Sequence, residues 1–231
     1  MCGFYSLNKK ITEIEKRNKL KSTNDLGFNP TYKITKGNNV PAILSRDSKI
    51  IQIASWGFNF DFSNIPIQNA RKEKLLDTTS AWNEQLRNGN FCILPADSYY
   101  EFNWQDSKGK QKIPFRIGYK GFPLIGLAGL YRKGSKGFET TTITMDATGH
   151  KIGEIHNGGS NSNRAPFMLL PEQWNQWLNP KNEEEVLKMI DLEEENKFDY
   201  YSISSEFNSP NADPFHNWHQ SQSFNKQGKL F

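Results

Sequence analysis

Cysteine is nearly absent. Only Cys2 and Cys92 occur in 231 residues, too few for a disulfide framework. Long apolar runs are missing as well. The first residues lack the hydrophobic stretch of a secretory signal, nothing ahead of Cys2 can form a lipoprotein signal, and no later run reaches the ~20 residues that cross a bilayer. The sequence therefore predicts a cytoplasmic protein that makes no membrane contact. No internal repeat, low-complexity tract or linker-like stretch divides the chain, which predicts one domain over residues 1–231 with His216–Phe231 as a peripheral tail. Histidine is scarce, at four residues. His216 and His219 have the i,i+3 spacing of a helical metal pair, but no nearby cysteine or carboxylate completes a ligand set, so neither metal nor cofactor is expected. Mean hydropathy is low, at −0.74, yet aromatics make up 13%. That combination fits a folded chain with a polar, aromatic-rich surface and excludes disorder.

The net charge of +4 is unevenly spread. Between Glu183 and Asp199, eight acidic residues face only Lys188 and Lys197, so this segment carries −6 and the rest of the chain +10. A positive balance of that size suits a polyanionic partner, and a solvated, lysine-rich surface accounts for it equally well.

Hydrophobic periodicity gives a strand-dominated order. Ile11–Leu20 is predicted as a short amphipathic helix, and Pro41–Leu44, Ile50–Trp56, Phe91–Leu94 and Ser98–Phe102 as strands. Thr78 or Ser80 can cap a helix through Leu86 that Asn88-Gly89 ends. Strands follow at Lys112–Gly118, Pro123–Tyr131 and Phe138–Met145, then a short helix before His156 and a strand at Pro166–Leu170. Helices at Pro171–Leu178 and Glu183–Ile190 and a strand at Tyr200–Ser204 complete the order. Without regular strand–helix alternation, this is an α+β pattern. Cys92, in the apolar run Phe91-Cys92-Ile93-Leu94-Pro95, reads as core.

Chemistry concentrates at Cys2. Removal of Met1 would leave a free α-amine of pKa roughly 7.7–8.0 on the same carbon skeleton as a thiol near roughly 8.5. The amine can condense with an aldehyde and the thiol then close a thiazolidine ring, or the thiol alone can attack an acyl carbon. Four further polar stations lie beside apolar sequence. Asn69-Ala70-Arg71-Lys72-Glu73 offers an amide and a guanidinium that can orient an amine and a phosphate, or simply starts a helix. Glu101, between Tyr100 and Phe102, can be desolvated into proton-transfer range or face water. His156 is an acid–base candidate or a structural hydrogen-bonder. Arg164 offers a phosphate contact or a surface charge.

Taken in order, Met1-Cys2-Gly3-Phe4-Tyr5, Trp56-Gly57, Asn69-Ala70-Arg71-x-Glu73, Leu94-Pro95-Ala96-Asp97-x-x-Tyr100-Glu101-Phe102, Gly126-Leu127-Ala128-Gly129-Leu130-Tyr131 and Ile155-His156 ahead of Arg164-x-Pro166 resemble the blocks of the SOS-response-associated peptidase (SRAP) family. Ser202-Ile203-Ser204 to Asn208, then Asp213-Pro214, resembles its closing block. The resemblance implies an α+β domain with a curved, barrel-like, mostly antiparallel sheet, flanking helices and a positive groove. It implies a monomer, nucleoid-associated on damage, that captures abasic sites in single-stranded DNA. The capture would be a thiazolidine between Cys2 and the ring-opened sugar aldehyde, with abasic-site lyase and autopeptidase activities alongside. By matched position Cys2 would be the nucleophile, Asn69 would orient its amine, Glu101 would shuttle protons and His156 would assist ring opening. Arg71 and Arg164 would hold phosphates and Trp56 would stack near the lesion.

Two departures from the family pattern stand out. Gly158-Gly159-Ser160-Asn161-Ser162-Asn163 separates His156 from Arg164, where most members have a short His-x-Arg-x-Pro run. Phe102 replaces a usual Trp. Competing readings are an N-terminal-Cys hydrolase of the glutamine amidotransferase or peptidase type, and a noncatalytic single-strand binder. A glutamine amidotransferase would need an oxyanion hole and a glutamine-binding motif that the sequence does not show, whereas a peptidase, with self-removal of Met1 as one form, would use the same Cys2, Asn69, Glu101 and His156. The binder would tolerate loss of Cys2, and the chemical readings would not.

Overall fold

A computed structural model of the chain describes residues 3–23 and 26–218. Cys2, His219 and most of the predicted tail lie outside the described residues. In chain order the elements are β1 (Phe4–Leu7), α1 (Ile11–Asn18), β2 (Lys21–Ser22), β3 (Thr31–Thr35), β4 (Asn39–Leu44), β5 (Ile50–Trp56), β6 (Asn69–Arg71) and α2 (Ala81–Arg87). They continue with β7 (Phe91–Ala96), β8 (Ser98–Trp104), β9 (Lys112–Tyr119), β10 (Ile125–Gly134), β11 (Gly137–Thr140), β12 (Thr142–Asp146) and α3 (Lys151–Ile155). The last are β13 (Arg164–Pro166), β14 (Met168–Leu169), α4 (Trp174–Leu178), α5 (Glu183–Met189) and β15 (Phe198–Ser202). No helix among the described residues is long and apolar enough to cross a membrane.

The strands β11, β10, β7, β4 and β5 pair antiparallel in that order. A parallel pairing of β11 with β5, Glu139 against Ser55 and Thr140 against Trp56, then closes them into a barrel. A second sheet runs β15-β9-β8-β1-β3, antiparallel throughout. A small third sheet sets β12 between β13 and β6. The second sheet is buried on both faces. Tyr5, Leu7 and Tyr99 enter the main core with the barrel residues Ile43, Ile93, Leu94 and Leu127. On the opposite face Tyr100 packs with Ile203, Phe207 and Trp218, flanked by Phe4 and Phe102. Because side chains alternate along a strand, two buried faces turn β8 into a run in which Tyr99, Tyr100 and Glu101 are all inside.

Most predicted elements form, and the fold is the α+β arrangement expected. Ser80 caps α2 by accepting from the Trp82 N–H at 3.2 Å, and Gly89, at φ 66°, lies just beyond its end. Cys92 is fully buried, its thiol pushed up by desolvation. Three differences matter. Asn69 to Arg71 is a strand and not a helix start, because β12 offers it a parallel edge, Asn69 against Thr142 and Arg71 against Thr144. β3 went unread because its buried positions include Lys33, whose ammonium is satisfied by the Phe207 and Ser209 carbonyls at 2.7 and 3.1 Å. The predicted strand Phe138–Met145 splits at Thr141, where the chain leaves the barrel as β11 and enters the third sheet as β12. The tail also begins differently, since Trp218 is buried and its Nε1 donates to the Asp213 carbonyl at 3.2 Å.

The Thr141 pivot depends on a missing side chain. A Cβ at Gly129 would stand 1.6 Å from the Thr141 carbonyl oxygen and 3.1 Å from Cys92 Sγ, so only glycine lets the backbones approach. Gly129→Ala is expected to destabilise the protein by at least the ~1–3 kcal/mol typical of overpacking, read as a lowered urea midpoint. An unchanged midpoint would mean that the pivot is not under this constraint.

Candidate active site

The site is built from the register between β1 and β8. Phe4 lies opposite Tyr100 and Tyr5 opposite Tyr99, and continuing that antiparallel register by one residue sets Gly3 against Glu101. Glu101 is 2% exposed. Desolvation pushes its carboxyl up to about 7, from an ordinary value of 4.5. Two residues further along the same face of β8, the Asn103 amide donates to the Glu154 and Ile155 carbonyls at 3.1 and 3.3 Å. That fastens the end of α3 to the strand. At the start of α3, His150 Nδ1 accepts the Ile152 N–H at 3.1 Å.

His156, which ends α3, is thereby set over Glu101, with Nε2 and Oε2 3.7 Å apart. Its Nδ1 lies 3.3 Å from the Arg164 carbonyl oxygen. A carbonyl can only accept, so this contact assigns the proton to Nδ1 and leaves the Nε2 lone pair facing Glu101. Burial lowers the imidazole from 6.5 to about 4. Burial thus works against charge on both members of the pair, raising the carboxyl and lowering the imidazole.

The third sheet supplies the neighbouring groups. Asn69 is buried, and its Oδ1 accepts from Thr142 Oγ1 at 2.8 Å. Arg71 is exposed, and its Nη2 donates to Asn161 Oδ1. The Gly158 to Asn163 insertion loops out and returns. Asn163 donates to the His156 carbonyl at 2.7 Å, which brings Arg164 back beside His156. The guanidinium of Arg164 turns inward, however. It forks onto Glu73 at 3.2 and 2.9 Å and also bonds Thr144 Oγ1 and the Thr144 carbonyl at 3.3 and 2.7 Å. Burial alone would raise Glu73, but the Arg164 hydrogen bond and charge outweigh it and hold the carboxyl below its ordinary range.

Trp56, expected to stack near the lesion, is fully buried and meets Tyr5 edge-to-face at 4.9 Å and 85°. Its indole presents no face to solvent. Open aromatic surface lies instead in the loop between β5 and β6, where Phe62, 80% exposed, stacks on Phe60 at 4.9 Å and 18°. Behind them, Arg132 sits 4.5 Å from the Phe60 ring, while Glu139 accepts from Arg132 Nε and the Asn59 amide at 2.8 and 2.6 Å. The alternation Phe58-x-Phe60-x-Phe62 carried this signal in the sequence. Nothing there marked Asn103 or Thr142, whose roles come from long-range pairing. Among the described residues no group of His, Cys, Asp and Glu could hold a metal ion.

Comparison with known proteins bears on this arrangement. A family model described as SOS response associated peptidase (SRAP) matches residues 1–210. The abasic site processing protein YoaM of Bacillus subtilis is 30% identical over 226 residues, covering 91% of this chain and 94% of that protein. YobE of the same organism, likewise named an abasic site processing protein, is 29% identical over 224 residues, covering 91% and 97%. The fold recurs in a protein of Bacteroides thetaiotaomicron, with a TM-score of 0.73 and 22% identity over 90% of this chain and 97% of that one. It recurs also in a phage-related protein of Bordetella bronchiseptica, with a TM-score of 0.69 and 22% identity over 87% and 94%.

The buried pair predicts an unusual pH response. Glu101, raised from 4.5 to about 7, contributes stability that is full below pH 4.5 and lost as pH rises through about 7. His156, lowered from 6.5 to about 4, contributes stability present above pH 6.5 and lost as pH falls through about 4. Between about pH 4.5 and 6.5 the two slopes oppose. Glu101→Gln should leave the histidine term alone, so its stability relative to wild type should climb across that window in urea titrations. A pH-independent difference would show that Glu101 titrates normally.

Proposed function

We propose, for a chain that belongs to the SOS response associated peptidase (SRAP) family, that it processes abasic sites in DNA, capturing them covalently through Cys2 and preferring single strands. One observation carries this reading: the β1–β8 register directs the chain start toward a buried carboxyl that is itself paired with a histidine. Cys2 is one peptide bond from Gly3, so their Cα atoms are about 3.8 Å apart.

The groups suit the chemistry in sequence. An abasic sugar is mostly a closed hemiacetal. Opening it requires a base for the hydroxyl proton and an acid for the ring oxygen, which the His156 Nε2 lone pair and protonated Glu101 supply. The free α-amine of Cys2, exposed by removal of Met1, adds to the aldehyde carbon. Once the ring is open, His156 returns the hydroxyl proton to Glu101, which then protonates the departing hydroxyl, and water leaves as the imine forms. Addition of the thiolate to the imine carbon, with a proton to nitrogen, closes the thiazolidine. Overall, aldehyde and cysteine give ring and water. Asn69 Oδ1 has a second lone pair beyond its Thr142 bond and can orient the amine.

Phosphate binding falls to Arg71. Four of the five Arg164 N–H groups are already used within the protein, so we assign Arg164 to holding Glu73 and presenting its carbonyl to His156. Phe60 and Phe62 offer the sequence-tolerant base platform that buried Trp56 does not. The same Cys2 and Glu101 would serve self-removal of Met1, and the imine is the intermediate from which strand scission would proceed.

Mature protein mixed with single-stranded DNA bearing one abasic site should give a species that survives denaturing electrophoresis. Cys2→Ala should abolish it. Absence of any adduct from protein with verified Met1 removal would sink the reading, and a salt-sensitive complex without an adduct would make the protein a binder. Phe62→Ala should weaken single-strand binding by roughly 1–3 kcal/mol if a base stacks there, measured by fluorescence anisotropy; undiminished affinity would exclude that platform.

A further inference from the structure

The Asn157 to Asn163 loop reaches from the His156 end of the site to Arg71. Its two ends are held tightly. Asn157 Oδ1 accepts the Trp104 N–H at 2.7 Å and its Nδ2 donates to the Trp104 carbonyl at 3.1 Å, so the amide closes on the end of β8 like another strand residue. Gly158 then lies flush on the indole, where a Cβ would stand 2.1 Å from Trp104 Cδ2. Lys112 Nζ, 4.7 Å from the ring centroid, further fixes that indole. At the far end Ser162 donates to the Gly159 carbonyl at 3.3 Å and Asn163 to the His156 carbonyl at 2.7 Å, with Asn163 in the left-handed region at φ 55°.

Between these anchors stands Asn161. Its Nδ2 donates to Ser160 Oγ at 3.3 Å, which turns Oδ1 toward Arg71, and Oδ1 accepts from Arg71 Nη2. Arg71 has only donors to offer. The contact uses one of its five N–H groups and leaves the remaining edge of the guanidinium for an anion. A free, exposed arginine must lose rotamer freedom whenever it grips a phosphate; one already held by a braced amide has lost part of it beforehand.

We propose that Asn161 is a positioning residue that pre-orients Arg71 for a backbone phosphate of single-stranded DNA, so that the inserted loop acts as a brace for the phosphate site. This rests on the phosphate-binding role assigned to Arg71 above. The brace belongs to the Gly158 to Asn163 segment that stands between His156 and Arg164. The alternative, a loop that occludes Arg71 until DNA displaces it, makes the opposite prediction. A neutral amide competes poorly with a phosphate for a guanidinium, so displacement is feasible, but occlusion would make removal of Asn161 favourable to binding.

A double-mutant cycle on unmodified single-stranded DNA, which keeps capture chemistry out of the measurement, separates these outcomes. Arg71→Ala should flatten the log–log salt dependence of the association constant by about 0.7, one phosphate's worth. Asn161→Ala should weaken binding about two- to tenfold while keeping the wild-type slope, because Arg71 still meets the phosphate. In the Arg71→Ala background the Asn161→Ala change should have no further effect. Tighter or unchanged binding in Asn161→Ala would overturn the brace, as would an equal loss in both backgrounds, which would make the amide a contact or a loop-folding residue in its own right. Either of those Asn161 outcomes beside the expected Arg71→Ala slope change defeats only this inference. An Arg71→Ala variant with unchanged affinity and slope defeats the phosphate assignment beneath it.

Discussion

The constraint on which the site depends is that β1 is an interior strand. It pairs with β8 on one side and β3 on the other, and each of its faces is covered by a separate apolar cluster. A register slip of one residue would move Tyr5 and Leu7 out of the main core and Phe4 into it. Polar contacts reinforce the register from the same strands. Ser6 Oγ bonds Asp97 and lies 2.6 Å from Ser98 Oγ, the Asn8 N–H reaches Asp97 Oδ2 at 2.6 Å, and Arg116 binds Asp97 and Ser98 at 3.3 and 2.9 Å. A chain start is ordinarily a place of fraying. Here β1 is held by strand pairing on both edges from Phe4 onward.

The same packing accounts for the state of the acid–base pair. Two apolar faces and the aromatic neighbours Tyr100 and Phe102 exclude water from Glu101, and desolvation disfavours charge on both members, raising the carboxyl and lowering the imidazole. Each group is thus kept near its uncharged form by the same dry surroundings. The imine formation we propose needs a group that gives a proton in one step and takes one in the next. A carboxyl poised near neutrality can do both, whereas an exposed glutamate near its ordinary value would remain a base alone.

What the sequence revealed follows from range. Elements with local signatures were legible: the alternating strands β5 and β9, the Ser80 cap, the short helix before His156. The site residues Asn69, Glu101 and His156 stood out because each is a polar group inside apolar sequence, and all three are buried. Misreadings arose where a distant partner decides. Asn69 to Arg71 has no strand propensity of its own and becomes a strand because β12 lies beside it. β3 went unread because it carries a lysine at a buried position, Lys33, which the Phe207 and Ser209 carbonyls receive. Trp56 is expected at the lesion by its matched position in the Trp56-Gly57 block and is instead fully buried, because a matched position does not reveal which face of a strand the core will take.

The Thr141 pivot links the two halves of the site mechanically. The barrel, closed by β11 on β5, has no free edge in that ring of strands and so resists opening. One residue beyond β11 the chain becomes β12, which aligns Asn69 through Thr142 and Arg71 and Arg164 through Thr144. Glu101, by contrast, belongs to the second sheet, and His156 reaches it from α3. Asn69, Arg71 and Arg164 are therefore carried by one sheet and the Glu101 carboxyl by another, joined across a shared core. The loop from Asn157 to Asn163 spans the same division on the outside, bonded to β8 through Trp104 at one end and to β6 through Arg71 in the middle. The Gly158 to Asn163 segment, which lengthens the path from His156 to Arg164, thus adds a second tie between the two sheets beside the shared core.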